Sequence, residues 1–304
     1  MYLIFQSIQI VYFDYIASVF EEVFEVESTN SIVLNRFFTR NTFKQLIDEG
    51  SSATYSSVIR RYIIDESNKT NGECISEIYC YLKSNYQNEY YYKNTLLNKL
   101  LLGIHSPKTT IALTEVPIAG SKADFILING KAVVYEIKTA LDNFERLEGQ
   151  LEDYYKAFSR VVVVTAEQHY EELKKRLKDS PAGIYVLTSK GTLSIKKEPI
   201  EYTAALSKTT MFKILRKGEY ENIIKSVYGK LPKVTQFEYY RSCQVLFESL
   251  SIEEAYKLFT AEIKKRSKIE IDLYSKIPYE LKFLTYFSNY RKEDYTRLLN
   301  FLSM

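Results

Sequence analysis

Tryptophan is absent from this chain of 304 residues, and histidine, cysteine and methionine are scarce, with two, three and three residues respectively. The cysteines Cys74, Cys80 and Cys243 are odd in number and lack the spacing of metal ligands. These absences argue against a disulfide framework and against a Cys/His zinc site. Low-complexity tracts and repeats of fixed period are also missing, and 46% hydrophobic with 26% charged residues is a composition typical of soluble globular proteins.

Charge of one sign is not in large excess. The formal net charge of +3 is too small to indicate nucleic-acid binding by itself, because solvated Lys and Glu are the ordinary content of protein surfaces. From residue 201 to the end, however, 18 Lys and Arg stand against 13 Asp and Glu. The 27 tyrosines, beside many Lys, Asn and Ile, have two interpretations, AT-rich coding without a function and a supply of stacking surface. If the chain binds nucleic acid, these observations place the expected binding surface in its last third.

The most apolar stretch is the N-terminal MYLIFQSIQIVYFDYIASVF, and it is not a continuous hydrophobic run. Gln6, Gln9 and Asp14 interrupt it, which excludes an uninterrupted membrane span. It also lacks Lys or Arg before the apolar residues and a cleavage site of small residues, so a signal peptide is not indicated. We therefore expect a cytoplasmic protein without a membrane partner, in which this segment is buried or faces a protein partner or a second copy of the chain.

The hydrophobic pattern divides the chain into three regions. Residues 1–73 are predicted to be mostly helical, with helices at FFTRNTFKQLI and YSSVIRRYI. Residues 74–200 begin with a helical stretch that is interrupted near KSNYQN and ends at Gly103. Residues 201–304 return to helical periodicity.

Four runs rich in branched residues predict strands in the middle region: TTIALTEVPI, KADFILI, AVVYEIK and RVVVVTA. A helix at DNFERLEGQLEDYYKAF separates the third from the fourth, with Asp142 as its predicted N-cap and Glu145 completing an acidic capping box. A second helix, EQHYEELKKRLK, precedes two closing strands, GIYVLT and TLSIKK. A meander that acquires a helical crossover into a buried strand predicts an α/β fold with a mixed sheet and helices on both faces.

The stretch ADFILINGKAVVYEIK predicts a β-hairpin that carries three charges, Asp124, Glu136 and Lys138, among apolar residues. A two-residue turn would place Asp124 and Glu136 on opposite faces of the sheet. A three-residue connection, Asn129-Gly130-Lys131 with Gly130 in the left-handed conformation, gathers the three charges at one end of one face. That register pairs residue 128 with 132, 126 with 134 and 124 with 136.

Two carboxylates brought together in this way need a compensating cation, because like charges directly opposed destabilise a strand pair. Asp124 and Glu136 suit a divalent cation with oxygen ligands, Mg²⁺ or Mn²⁺, and the backbone carbonyl of Ile137 is a further candidate ligand. Lys138 is placed to orient or deprotonate a metal-bound water, or to stabilise charge on a phosphate oxygen. The alternative interpretation is a structural ion pair of Lys138 with either acid.

The pattern Asp124, then Glu136-Ile-Lys138, resembles the core of the PD-(D/E)XK nuclease superfamily, which includes RecB-type and restriction-endonuclease-like enzymes. The hairpin between the motif residues and the helix–strand crossover after them are similar to that core. The resemblance covers roughly residues 75–200, and Ala123 stands where the signature has proline. It implies a mixed-sheet nuclease core flanked by helices, between mostly helical N- and C-terminal regions.

Further positions match this family. Gln150 and Tyr154 form Q-x-x-x-Y, which resembles a motif that RecB-type members place beside the metal, and Arg146 lies one turn earlier on the same stripe. The resemblance implies a catalytic role for Gln150 and substrate contacts for Arg146 and Tyr154. An upstream acid is also implied, and Glu89 and Glu115 are both candidates. A solvated amide for Gln150 and a paired structural acid for Glu89 are the alternatives.

The resemblance implies a metal-dependent nuclease that hydrolyses phosphodiester bonds, expected in DNA, of the kind that bacterial chains use in repair, restriction or defence against phage. In that interpretation Asp124 and Glu136 hold Mg²⁺ or Mn²⁺, Lys138 assists the attacking water and Gln150 positions it. The alternative is a non-catalytic nuclease-like scaffold that binds nucleic acid or a protein partner. The intact triplet of Asp124, Glu136 and Lys138 favours the enzyme, because a degenerate core would be expected to have lost one of the three.

Overall fold

A computed structural model describes residues 32–304 apart from 105, 106, 108, 267 and 268. The chain folds as two compact units, and the described part of the first comprises residues 32–86 and Thr296–Met304. The second unit is Gln87–Tyr295. This division differs from the three regions predicted from the sequence, 1–73, 74–200 and 201–304. The apolar N-terminal segment, for which a buried or partner-facing role is predicted, lies outside the described residues.

The first unit contains the helices predicted in the N-terminal region. Helix α1 (Arg40–Glu49) and helix α2 (Ala53–Tyr62) begin after Thr39 and Ser52, whose side chains accept hydrogen bonds from backbone N–H groups of the first turn. Helix α3 (Asn71–Asn85) begins with a capping box of Thr70 and Glu73. Buried aromatic rings, among them Phe37, Phe43 and Tyr55, form the core of this unit.

The second unit begins with helix α4 (Glu89–Leu96), which continues as a π-helical turn, Leu97–Leu102. The interruption predicted near KSNYQN is confirmed, because α3 ends at Asn85 and the side chain of Asn88 caps the start of α4. Asn88 accepts a hydrogen bond from the N–H of Tyr91 at 3.1 Å. Because Asn88 is the cap, Glu89 is the first residue of α4 and lies at its N-terminal end.

Six strands form one mixed sheet, and their order in the sheet is their order in the chain. The pairs β1–β2, β2–β3 and β5–β6 are antiparallel, while β3–β4 and β4–β5 are parallel. The α/β fold with a mixed sheet predicted from the sequence is therefore confirmed. The strands are β1 (Ile111–Ile118), β2 (Ser121–Asn129), β3 (Lys131–Lys138), β4 (Val161–Ala166), β5 (Gly183–Leu187) and β6 (Leu193–Lys197).

The hairpin of β2 and β3 has the predicted register. Ile128 pairs with Ala132 and Ile126 with Val134, and Gly130 at the apex has a φ of 68°, in the left-handed region. The ladder ends with the pair of Phe125 and Tyr135, one position before Asp124 and Glu136. The two acids therefore stand where the pairing of β2 with β3 stops.

Helix α5 (Leu147–Tyr155) crosses from β3 to β4 and packs on the sheet through Leu147, Leu151 and Tyr154. It begins five residues later than the predicted N-cap Asp142, so that capping box is wrong. The Asp142 carboxylate instead accepts hydrogen bonds from Thr139, from the N–H at 2.8 Å and from the Oγ1 hydroxyl at 2.7 Å. The Asp142 carboxylate is thus occupied by Thr139 within the loop after β3 and does not cap a helix.

The C-terminal region is helical, as predicted, and its buried side chains share one core with the sheet. Met211, Phe212 and Phe259 belong to the same cluster as Ile126 and Val163. Across the described residues, every helix is too short or too polar to span a bilayer. The helices not yet given are α6 (Tyr170–Arg176), α7 (Lys208–Ile214), α8 (Lys217–Tyr228), α9 (Gln236–Glu248), α10 (Ile252–Ile263), α11 (Ile271–Ser275), α12 (Lys282–Tyr286) and α13 (Lys292–Ser303).

Candidate active site

Three carboxylates from three different elements converge beside the end of the hairpin. Glu89 begins α4, Glu115 lies in β1 and Asp124 in β2, and one carboxylate oxygen of each lies within 4.8 Å of the others. Glu115 has a φ of 56°, a left-handed conformation that is uncommon for a residue with a side chain. We call these three residues the acidic cluster. The sequence left Glu89 and Glu115 as competing candidates, whereas the fold brings both of them to Asp124.

Two lysines neutralise part of the acidic cluster. The buried Lys93 forms ion pairs with Glu89, at 2.6 Å, and with Glu115, while the exposed Lys122 pairs with the other oxygen of Glu115. Burial favours a lower pKa for Lys93, but the two carboxylates outweigh it and raise its pKa. Sequence reasoning missed Lys93, although its position four residues after Glu89 on a predicted helix is a usable signal.

Asp124 is the most perturbed member of the cluster. Burial and the nearby carboxylate of Glu136 raise its pKa to about 8, although a hydrogen bond from the N–H of Ile137 to Oδ2 at 2.9 Å opposes the shift. The same hydrogen bond brings the Asp124 carboxylate to the end of β3, next to the residue that follows Glu136. Asp124 therefore links the acidic cluster to the residues around Glu136.

Glu136 lies at the centre of a hydrogen-bonded network and is 2% exposed. Its Oε1 accepts from Gln150 Nε2 at 2.6 Å and faces Lys138 Nζ at 3.2 Å. Its Oε2 accepts from the hydroxyl of Tyr154 at 2.6 Å. Burial raises the pKa of Glu136, while the hydrogen bond from Tyr154 and the charge of Lys138 oppose that shift. We call Glu136, Lys138, Gln150 and Tyr154 the Glu136 network.

Lys138 is buried at the end of β3, where two side chains hold its ammonium. Nζ donates to Gln150 Oε1 at 2.8 Å and is paired with Glu136. An ammonium has three N–H donors, and the contacts among the described residues use two of them. One N–H donor thus remains for a water or a phosphate oxygen, in a position fixed by the other two.

The two predicted substrate-binding residues differ in exposure. Arg146 is exposed just before α5, one turn from Gln150, which agrees with a contact to a substrate phosphate. Tyr154 is fully buried, and its hydroxyl contacts Glu136 and the backbone carbonyl of Lys122, at 3.0 Å. The predicted substrate contact of Tyr154 is therefore replaced by a positioning role, because a side chain enclosed in this way orients Glu136 and cannot reach a ligand.

The donor set of the acidic cluster fits a divalent cation with hard oxygen ligands. Glu89, Glu115 and Asp124 offer carboxylate oxygens only, the ligand type that Mg²⁺ and Mn²⁺ prefer. Even with two lysines present, the pKa of Asp124 stays raised, which a bound cation would reverse by favouring the ionised carboxylate. The chemistry of the residues thus agrees with the predicted Mg²⁺ or Mn²⁺, with Ile137 contributing its N–H to Asp124 and its carbonyl remaining a predicted ligand.

Replacing Lys93 with methionine is expected to lower the free energy of unfolding of the metal-free protein by about 2 kcal/mol, because it removes the buried ammonium that pairs with the exposed Glu89 and the partly buried Glu115. Adding Mn²⁺ should restore more stability to this variant than to the parent. The matched control is Lys122→Met, which breaks an exposed ion pair and should cost less than about 1 kcal/mol. Urea denaturation in EDTA and in Mn²⁺ measures both effects, and equal losses in the two variants would contradict the role of Lys93.

Comparisons with known proteins point to one family. The family described as Bacteriophage P4 protein cII matches residues 82–282, about two thirds of the chain. Protein cII of Enterobacteria phage P4 is 28% identical over 169 residues, which are 54% of this chain and 61% of that protein. The chain therefore spans less than two thirds of the length of this relative. No solved structure gives a significant match.

Proposed function

The chain belongs to the bacteriophage P4 protein cII family, and we propose that it is a metal-dependent nuclease of the PD-(D/E)XK type, which hydrolyses phosphodiester bonds in DNA in the cytoplasm. The observation that carries this proposal is the convergence of the acidic cluster on Asp124, whose carboxylate accepts from the N–H of Ile137, between Glu136 and Lys138 of the Glu136 network. The residues of both groups lie within the part of the chain that the family matches.

Within this proposal Asp124, Glu89 and Glu115 would hold Mg²⁺ or Mn²⁺, with Glu136 beside them. The cation would supply a water of lowered pKa and charge stabilisation at the phosphate. The amide N–H of Ile137 fixes the rotamer of Asp124 by its bond to Oδ2. The strained backbone of Glu115 aims its carboxylate at the same place, which is the type of site where such strain is retained.

The Glu136 network fixes the position of the Lys138 ammonium. Gln150 accepts from Lys138 and donates to Glu136, so one amide fixes the positions of both side chains. The remaining N–H of Lys138 would then orient the attacking water or stabilise the charge that develops on a nonbridging phosphate oxygen. Arg146, exposed one turn before Gln150, would bind a neighbouring phosphate.

The test is a cleavage assay on linear, circular and single-stranded DNA and on RNA, in Mg²⁺, in Mn²⁺ and in EDTA. We expect cleavage of DNA in either metal, none in EDTA and at least an order-of-magnitude loss with Glu136→Gln, because the substitution removes a charge beside the metal site. Glu152→Gln is the matched control, since Glu152 lies on the exposed side of α5. A chain that binds DNA and leaves it intact in both metals would support the non-catalytic scaffold instead.

A further inference from the structure

Glu115 is held by a different lysine at each of its two carboxylate oxygens. Its Oε1 pairs with Lys93, whose side chain is 9% exposed, and its Oε2 pairs with Lys122, whose side chain is 60% exposed. A divalent cation bound to Glu115 would lie next to these ammoniums, and like charges at such a short distance repel each other. Metal binding in the acidic cluster is therefore expected to compete with one of the two lysines.

Lys122 is the lysine that can leave Glu115. Lys93 is enclosed and pairs with Glu89 as well, at 2.6 Å, so displacing it would take one of two partners from a buried ammonium, which is costly. Among the described residues, Lys122 has a single ion pair, the one with Glu115. An exposed pair of this kind contributes little to stability, because water solvates both charges when the pair opens.

The backbone of Lys122 is fixed beside the site, although its ammonium is exposed. The hydroxyl of Tyr154 contacts the carbonyl of Lys122 at 3.0 Å and Oε2 of Glu136 at 2.6 Å. Lys122 also pairs with Pro117 of β1 and precedes Asp124 by two residues in β2. An ammonium released from Glu115 thus stays tethered next to the acidic cluster and the Glu136 network.

The charge balance of the acidic cluster favours an anion once a metal has bound. When ionised, its three carboxylates and the two lysines paired with them leave one net negative charge. A divalent cation turns this into one net positive charge, while Glu136 and Lys138 cancel each other. A phosphate of the proposed substrate carries the single negative charge that restores neutrality.

We propose that Lys122 leaves Glu115 when metal binds and pairs instead with a phosphate of DNA. Lys122 then contributes to substrate binding only in the metal-loaded protein. A lysine suits this exchange, because its ammonium is a compact charge with three rotatable N–H donors on a flexible stem. The inference deepens the proposed function and rests on it for the identity of the anion.

The first experiment measures binding of fluorescent duplex DNA to the full chain over a range of salt, once in EDTA and once in Mn²⁺. All proteins carry Lys138→Ala, which slows cleavage and leaves metal binding intact. In Mn²⁺, Lys122→Met should flatten the slope of log affinity against log salt by about 0.9, the contribution of one phosphate contact on duplex DNA. In EDTA the slope should not change, because Lys122 is then engaged by Glu115.

The matched control is Lys174→Met, since Lys174 is 58% exposed and pairs with Glu171 on α6. It should change neither slope. Lys122→Arg keeps the charge and should keep the parental slope in Mn²⁺. A second measurement, calorimetry with Mn²⁺ in the absence of DNA, should show that Lys122→Met binds the metal about threefold more tightly, because the competing ion pair is gone.

Three outcomes would overturn the exchange. These are equal flattening in EDTA and in Mn²⁺, slopes of Lys122→Met that match those of Lys174→Met in both conditions, and a protein that does not bind DNA in Mn²⁺. A chain that shows the metal-dependent slope difference and cuts no DNA without the Lys138→Ala change supports the exchange and removes the nuclease. Cleavage by a chain in which Lys122→Met and Lys174→Met behave alike does the reverse.

Discussion

Replacing Lys138 with alanine is expected to lower the rate of DNA cleavage by about 100-fold or more while Mn²⁺ still binds. One well-placed electrostatic group contributes about 3 kcal/mol to a transition state, and the structure holds the Lys138 ammonium between Glu136 and Gln150 with one N–H donor remaining. An ammonium is not a metal ligand, and its removal relieves repulsion of the cation. The loss should therefore fall on kcat and not on the affinity for metal.

Cleavage rates at saturating DNA, beside calorimetry with Mn²⁺, measure the two quantities separately. The matched control is Lys156→Ala, which removes a partly exposed lysine that pairs with Asp153 next to α5. Lys138→Arg should recover only part of the rate, because the planar guanidinium does not reproduce the geometry of an ammonium. A Lys138→Ala protein that binds Mn²⁺ and cuts at the parental rate would reduce Lys138 to a structural ion pair with Glu136.

Replacing Asp124 with asparagine is expected to abolish both metal binding and cleavage, and at the same time to stabilise the metal-free protein at alkaline pH. Asp124 belongs to the acidic cluster and is bonded to Ile137, the residue after Glu136, so its loss removes a ligand charge at the point where the cluster meets the end of β3. In the metal-free state the ionisation of Asp124 is unfavourable, because the side chain is largely removed from water and lies near the carboxylate of Glu136. Asparagine keeps the shape and an oxygen acceptor for the N–H of Ile137 without the charge.

The sign of the pH effect follows from the direction of the pKa shift. The pKa of Asp124 rises from an ordinary value near 4 to about 8 on folding, so the folded chain holds a proton that the unfolded chain has released. The contribution of Asp124 to the stability of the metal-free protein should therefore be greatest below about pH 4 and fall as pH rises toward 8. We expect Asp124→Asn to remove a loss on the order of 5 kcal/mol between pH 4 and pH 8, since each pH unit in this interval corresponds to about 1.4 kcal/mol.

Urea denaturation of both proteins in EDTA between pH 5 and 9 measures this difference, and the same series in Mn²⁺ provides the second comparison. Added Mn²⁺ should stabilise the parent by about 2.7 kcal/mol at a hundredfold excess over its dissociation constant and leave Asp124→Asn unchanged. Asp153→Asn is the matched control, because Asp153 bonds Ser121 and Lys156 away from the cluster. Parallel pH profiles for the parent and Asp124→Asn would show that Asp124 is not the buried acid that the structure indicates.

The strands and the hairpin register follow from the sequence because they depend on local rules. Alternation of branched residues marks β2 and β3, and a left-handed glycine between Asn129 and Lys131 leaves one register in which the apolar side chains of both strands face the core. The same local rules failed at Asp142. Its carboxylate can accept a hydrogen bond either as a helix cap or within a loop, and in the structure it accepts from Thr139 in the loop.

The sequence by itself determined the α/β plan and the identity of the motif residues on one hairpin. This is possible because the two-residue period of a strand and the type of turn fix which residues of a hairpin are neighbours. Only the tertiary structure decided that Glu89 and Glu115 both reach Asp124, that Lys93 is their buried counter-ion, and that Tyr154 is enclosed against Glu136. These contacts join α4, β1 and α5 to the hairpin across long stretches of chain. Their geometry depends on how helices pack against the sheet, and no local pattern of residues encodes that packing.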